Sequence, residues 1–159
     1  MVFMNEANTY DYDAQVRAIQ AYNRPILDGF RAWLKQSGLA KKTIKNHVDN
    51  IDFFTDYLVY YEPLEKLDEA DGSDVRMFLT DWFPRKALWA TVTGVKSYLA
   101  SFKKFFQWMG ETGRVSPETV AGMLSTLSFL VFLLMECSRR LLHFHRLLNR
   151  LQINLNSDH

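Results

Sequence analysis

The sequence predicts an all-α fold: a compact bundle of four to five short helices followed by an extra hydrophobic C-terminal helix. Three observations lead there. Apolar residues recur at steps of three and four along most of the chain, the period of one buried helix face. No segment alternates apolar and polar residues as a half-buried strand would. Only seven Gly and four Pro occur in 159 residues, so these residues punctuate helices rather than interrupt them.

The first helix is expected from Asp13 to Lys35, with Ile19, Tyr22, Ile26, Phe30, Trp33 and Leu34 on its apolar face. Pro25 should bend or divide it, because proline lacks the N–H and crowds the preceding turn. Gly38 is placed to end it as a left-handed cap, with Leu39 packing back on the last turn. A second helix, Ala40 to Tyr61, buries Ile44, Val48, Ile51, Phe54, Leu58 and Tyr61, and Pro63 prevents its continuation. A third and shorter helix starts at Asp71, whose carboxylate can accept the N–H of Asp74, and ends before Pro84. The fourth, Leu88 to Met109, carries Val92, Val95, Leu99, Phe102, Phe106 and Met109 inward, and Gly110 and Gly113 close it. Ser116 followed by Pro117 is the usual way to open a helix, which then runs to about Leu151. The domain reading is a flexible segment 1–12, a helical domain 13–116, and a C-terminal helix and tail 117–159.

Composition narrows the function classes. Hydrophobic residues at 48% and aromatics at 14% supply a core and argue against disorder. A single cysteine, Cys137, cannot form an intramolecular disulfide, and residues 1–22 lack the apolar run of a signal peptide, so a cytoplasmic setting is expected. The net charge of +1 gives no global attraction to nucleic acid. Charge is unevenly placed, however. Acids crowd Glu62 to Asp81, and bases gather at Lys41 to Lys45, Arg85 to Lys86 and Lys96 to Lys104.

Four passages, read in order, resemble the SAM-like N-terminal core-binding domain of the tyrosine recombinase and phage integrase family. They are Phe30-Arg31-Ala32-Trp33-Leu34 with Gly38-Leu39-Ala40; Lys42-Thr43-Ile44-Lys45-Asn46-His47 leading to Ile51-Asp52-Phe53-Phe54; Asp74-Val75-Arg76-Met77-Phe78-Leu79; and Val95 through Trp108. The resemblance covers roughly Tyr22 to Pro117. It implies a four- or five-helix domain that clamps one face of duplex DNA, with its second and fourth helices nearest the DNA. The residues point to the same helices independently. Lys41, Lys42, Lys45 and Asn46 gather at the start of the second helix, and Thr93, Lys96, Lys103, Lys104 and Gln107 lie off the apolar face of the fourth. Arg85 and Lys86 extend the patch. Lys and Arg side chains, small polar groups and helix N-termini are what phosphates meet. An exposed lysine at helical spacing is ordinarily just solvated surface; two clusters in one ordered pattern favour a binding face. Asp49, Asp52 and Asp56 would repel phosphate, so contact on the second helix should be confined to its start.

Catalysis is not expected. The family cleaves DNA with a tyrosine nucleophile supported by arginines, histidine and lysine, and no tyrosine follows Tyr98 in this chain. His143-Phe144-His145-Arg146 matches the spacing of the family's histidine and arginine box but stands without its partner residues. His143 and His145 are two apart, which sends them to different helix faces, so no metal site and no cofactor is expected.

Thr119 to Met135 carries no charged residue, and Arg139, Arg140, Arg146 and Arg150 follow it. The run is near the lower limit for a membrane span, roughly 17 residues, but Gly122, Ser125, Thr126 and Ser128 lower its hydrophobicity, so a membrane is the weaker partner. Leu127, Phe129, Leu130, Phe132 and Leu133 are expected either to drive self-association, as a homodimer or against a full-length recombinase, or to pack across the chain's own bundle. The alternative to a DNA-binding domain is therefore a helical interaction module, which a truncated integrase could leave behind.

Overall fold

The computed structural model describes residues 6–87 and 91–155. Among these described residues six α-helices form in chain order: α1 (Glu6–Gln36), α2 (Lys41–Leu58), α3 (Gly72–Met77), α4 (Phe83–Lys86), α5 (Val92–Glu111) and α6 (Pro117–Leu155). A π-helical segment, Phe78–Trp82, joins α3 to α4. No strand occurs among the described residues. The chain divides into two compact units, Met1–Leu127 and Ser128–His159. The first is the helical bundle; the second consists of the later turns of α6 and the residues after it.

The bundle's core is aromatic. Phe78 is fully buried and meets Phe54 edge-on at 5.2 Å between ring centroids, Tyr98 at 5.3 Å and Phe102 at 5.9 Å. Phe54 packs on Phe102 at 4.9 Å, which ties α2 to α5. Phe30 meets Phe105 at 5.2 Å and Trp108 at 5.7 Å, which ties α1 to α5. Offset and edge-to-face pairs of this kind add roughly 0.5–1.5 kcal/mol each beyond the area they bury.

The local signals at helix ends operate as expected. Gly38 has a φ of 72°, the left-handed geometry that only glycine adopts without strain, and it turns the chain from α1 into α2. Asp71 Oδ1 accepts the amides of Ser73 (2.7 Å) and Asp74 (3.4 Å), while Asp74 Oδ2 accepts the amide of Asp71 (2.7 Å), a reciprocal capping box. Ser116 Oγ accepts the amide of Thr119 at 3.2 Å, with Pro117 in the first helical position.

Several expectations are corrected. Helix α1 starts at Glu6, within the segment read as flexible, and the Tyr12 hydroxyl donates to the Val59 carbonyl at 2.6 Å. Pro25 lies inside α1 without dividing it. Helix α2 ends at Leu58, so Tyr61, expected in the core, is 50% exposed. Tyr22 is 45% exposed, and its hydroxyl donates to Asp68. A tyrosine ring with a polar tip fits the apolar period while remaining at the surface.

Pro84 does not stop the third helix. The Phe83 amide reaches the Phe78 carbonyl five residues back, and this wide turn lets the chain pass a residue without an N–H. The fourth expected helix, now α5, begins at Val92 instead of Leu88. Thr91 caps it by accepting the Gly94 amide at 3.0 Å, and Val92 faces solvent. Residues 88–90 lie outside the described residues. Tyr98, Phe105 and Trp108 are buried on α5 beside the expected Leu99, Phe102, Phe106 and Met109.

Candidate nucleic-acid interface

Helices α2 and α5 meet through a polar seam. Asn46 Nδ2 donates to Ser97 Oγ at 2.8 Å, and Asn50 Nδ2 donates to Ser97 Oγ at 3.0 Å and to Ser101 Oγ at 2.9 Å. His47 Nδ1 lies 2.8 Å from Ser101 Oγ, which itself donates to the Ser97 carbonyl. His47, Asn50 and Ser101 are all buried. Buried polar groups fix the pairing of two helices because any other register leaves them unsatisfied. Burial lowers the His47 pKa, and the neighbouring Lys104 ammonium lowers it further, so the ring is held neutral.

The seam sets the basic positions side by side. On α5, Thr93, Lys96, Ala100, Lys103 and Gln107 are all exposed and follow one another at three- and four-residue steps, forming a single outward stripe. Lys104 turns to the seam and is half-buried. Across the seam, Lys41, Lys42, Lys45 and Asn46 are exposed at the start of α2. Ala40 provides no side-chain cap, and the first turn of α2 carries no acid.

Not every expected contact is free. Asn46 is committed to Ser97. Lys45 is paired with Asp49, and Arg85 with Asp81. Lys86 donates to the Tyr60 hydroxyl at 2.7 Å and lies 4.6 Å over its ring. Exposed pairs of this kind are worth little and exchange readily. Gln107 Nε2 donates to Glu111 Oε1 at 3.1 Å, and Glu111 Oε2 accepts Trp33 Nε1 at 3.0 Å, so a carboxylate closes the far end of the stripe. No salt bridge engages Lys41, Lys42, Lys96, Lys103 or Lys104 among the described residues.

Elsewhere the first unit is acidic. Asp52 and Asp56 border a cleft of about 210 Å³ with Gln20, Arg24 and Thr55. Burial, then Asp52, raises the Asp56 pKa. Glu65 and Asp74 share a second cleft beneath Tyr57, and burial is the main reason each carboxyl is raised. No group of three or more His, Cys, Asp or Glu side chains able to hold a metal occurs among the described residues. His143 is exposed on α6; His145 falls among residues whose side chains are not described.

The self-association set divides. Leu127 and Leu130 are buried within the chain, so they offer no free surface for a partner. Phe129 (53%), Phe132 (58%), Leu133, Val131 and Met135 are exposed. By length and composition, Pro117–Arg140 could cross a membrane.

No protein-family model, curated protein or solved structure matches the chain. The likeness to tyrosine recombinases therefore rests on the residue pattern quoted above.

Proposed function

We propose that the chain is a non-catalytic duplex-DNA-binding module of the tyrosine recombinase core-binding type, working in the cytoplasm. The observation that carries this reading is the exposed stripe Thr93, Lys96 and Lys103 on α5, set against the basic start of α2 by the Asn46–Ser97 bond. Such a surface offers ammonium groups and a hydroxyl from two rigidly paired helices, the mixture that grips a phosphate backbone. In this reading the role is occupancy of DNA without strand cleavage.

Fluorescence anisotropy with labelled duplex DNA across a salt series tests this. Affinity should fall steeply with salt, because neutralised phosphates release counterions, and Lys96→Ala/Lys103→Ala should weaken binding and reduce the slope of log K against log salt by about two. Absence of binding at low salt would sink the proposal.

A second reading is favoured by the exposed Phe129, Phe132 and Leu133 on α6: a helical interaction module that pairs with its own copy or docks on a larger recombinase. The two readings are compatible, since the surfaces involve different residues.

A further inference from the structure

A groove of about 470 Å³ lies between the end of α1 and the start of α2, lined by Arg31, Lys35, Leu39, Lys41, Ile44, Lys45 and Asp49. Four of these residues are cations and one is a carboxylate. Two of the cations, Arg31 and Lys35, come from a helix outside the binding face that the sequence suggests. We propose that this groove is a phosphate-holding site for the duplex backbone, extending the DNA contact from α2 and α5 onto the end of α1. The inference rests on the DNA-binding reading and assigns it residues and a geometry that reading lacks.

Lys35 and Lys41 enter no salt bridge among the described residues, so the groove holds uncompensated positive charge. Arg31 and Lys45 answer only to exposed carboxylates, Asp28 at 3.2 Å and Asp49, and can exchange them for an anion at little cost. Arg31 supplies a planar fork that can hold two oxygens of one phosphate; the lysines supply point charges around it. Leu39 and Ile44 form an apolar floor, which keeps water away from one side and strengthens the field at the rim. Lys41 and Lys45 also belong to the start of α2, so the groove continues directly into the basic face that reaches α5 through Asn46 and Ser97. Farther along the α1–α2 seam the cleft bears Asp52 and Asp56, which confines a bound strand to the cationic end.

The test compares Arg31→Gln/Lys35→Gln with wild type, binding labelled duplex DNA at stepped salt. Arg17→Gln/Arg24→Gln serves as control, since it removes the same charge from exposed positions of α1 outside the groove. The groove variant should reduce the magnitude of the salt slope by between one and two, at about 0.9 per phosphate contact, and the control should leave it near wild type. An unchanged slope in the groove variant, or an equal reduction in the control, overturns the groove while wild-type binding keeps the DNA reading standing. Failure of the wild type to bind at low salt overturns that reading, and the groove with it.

Discussion

At the scale of single residues, His47 and Glu111 make separable predictions. His47 is held neutral by burial and by Lys104, and its pKa in the fold lies below the ordinary 6.5. As pH drops through about 6.5 the unfolded chain takes up a proton that the fold refuses, so stability falls until the lowered folded value is passed, and then the loss stops. The raised carboxyls of Asp56, Glu65 and Asp74 act oppositely: their contribution is present below their ordinary values and is lost as pH rises through the raised ones. His47→Gln retains a hydrogen-bonding partner for Ser101 but cannot titrate. Urea midpoints at pH 7.5 and 5.5 should therefore drop for wild type relative to the variant, and parallel behaviour of the two would remove His47 from the account. Glu111→Gln can preserve the bond from Trp33 while removing a negative charge from the end of the α5 stripe. It should tighten DNA binding severalfold in low salt, an effect that fades as salt screens it.

At the scale of elements, those helix ends that carry a capping residue were legible in the sequence because their signals are local. Gly38, the Asp71 N-cap and Ser116-Pro117 each act within a few residues of themselves, so no knowledge of the rest of the chain is needed. Asp71→Ala should cost about 1 kcal/mol in chemical denaturation, and Asp71→Asn should restore most of it because the amide oxygen still accepts. Elements joined by distant contacts were less legible. Nothing near Pro84 announces that a wide turn will carry the helix past it, and the turn exists because Phe78 and Trp82 on one side and Phe83 on the other are drawn into the same core. Close packing sets a further expectation. A Cβ on Gly29 would approach Trp108 Cζ2 to 2.9 Å, so Gly29→Ala must push the indole aside where α1 meets α5. The thermal midpoint should fall by an amount corresponding to about 1–3 kcal/mol, the range for an overpacked core.

At the scale of the whole molecule, the second unit stands out for the exposed apolar side chains on its turns of α6. Phe129, Val131, Phe132, Leu133 and Met135 are exposed together, and a helix apolar on most sides ordinarily finds a partner. Sedimentation velocity should show wild type associating with rising concentration and Phe129→Ser/Phe132→Ser/Leu133→Ser remaining monomeric. A wild type that stays monomeric at tens of micromolar would remove self-association from the reading.

The sequence by itself determined the all-helical class, the helix caps and most of the core positions, because apolar period and capping chemistry are written in neighbouring residues. Residues such as Tyr22 and Tyr61 fit that period yet lie at the surface, since a pattern does not register where a helix ends or whether a polar tip finds water. Only the tertiary structure decided which cations share a surface. The Asn46–Ser97 bond spans the α2–α5 seam, and the groove brings Arg31 and Lys35 beside Lys41 and Lys45. The physical reason is that adjacency across helices is set by burial of aromatic side chains far apart in the chain, and no local spacing encodes it.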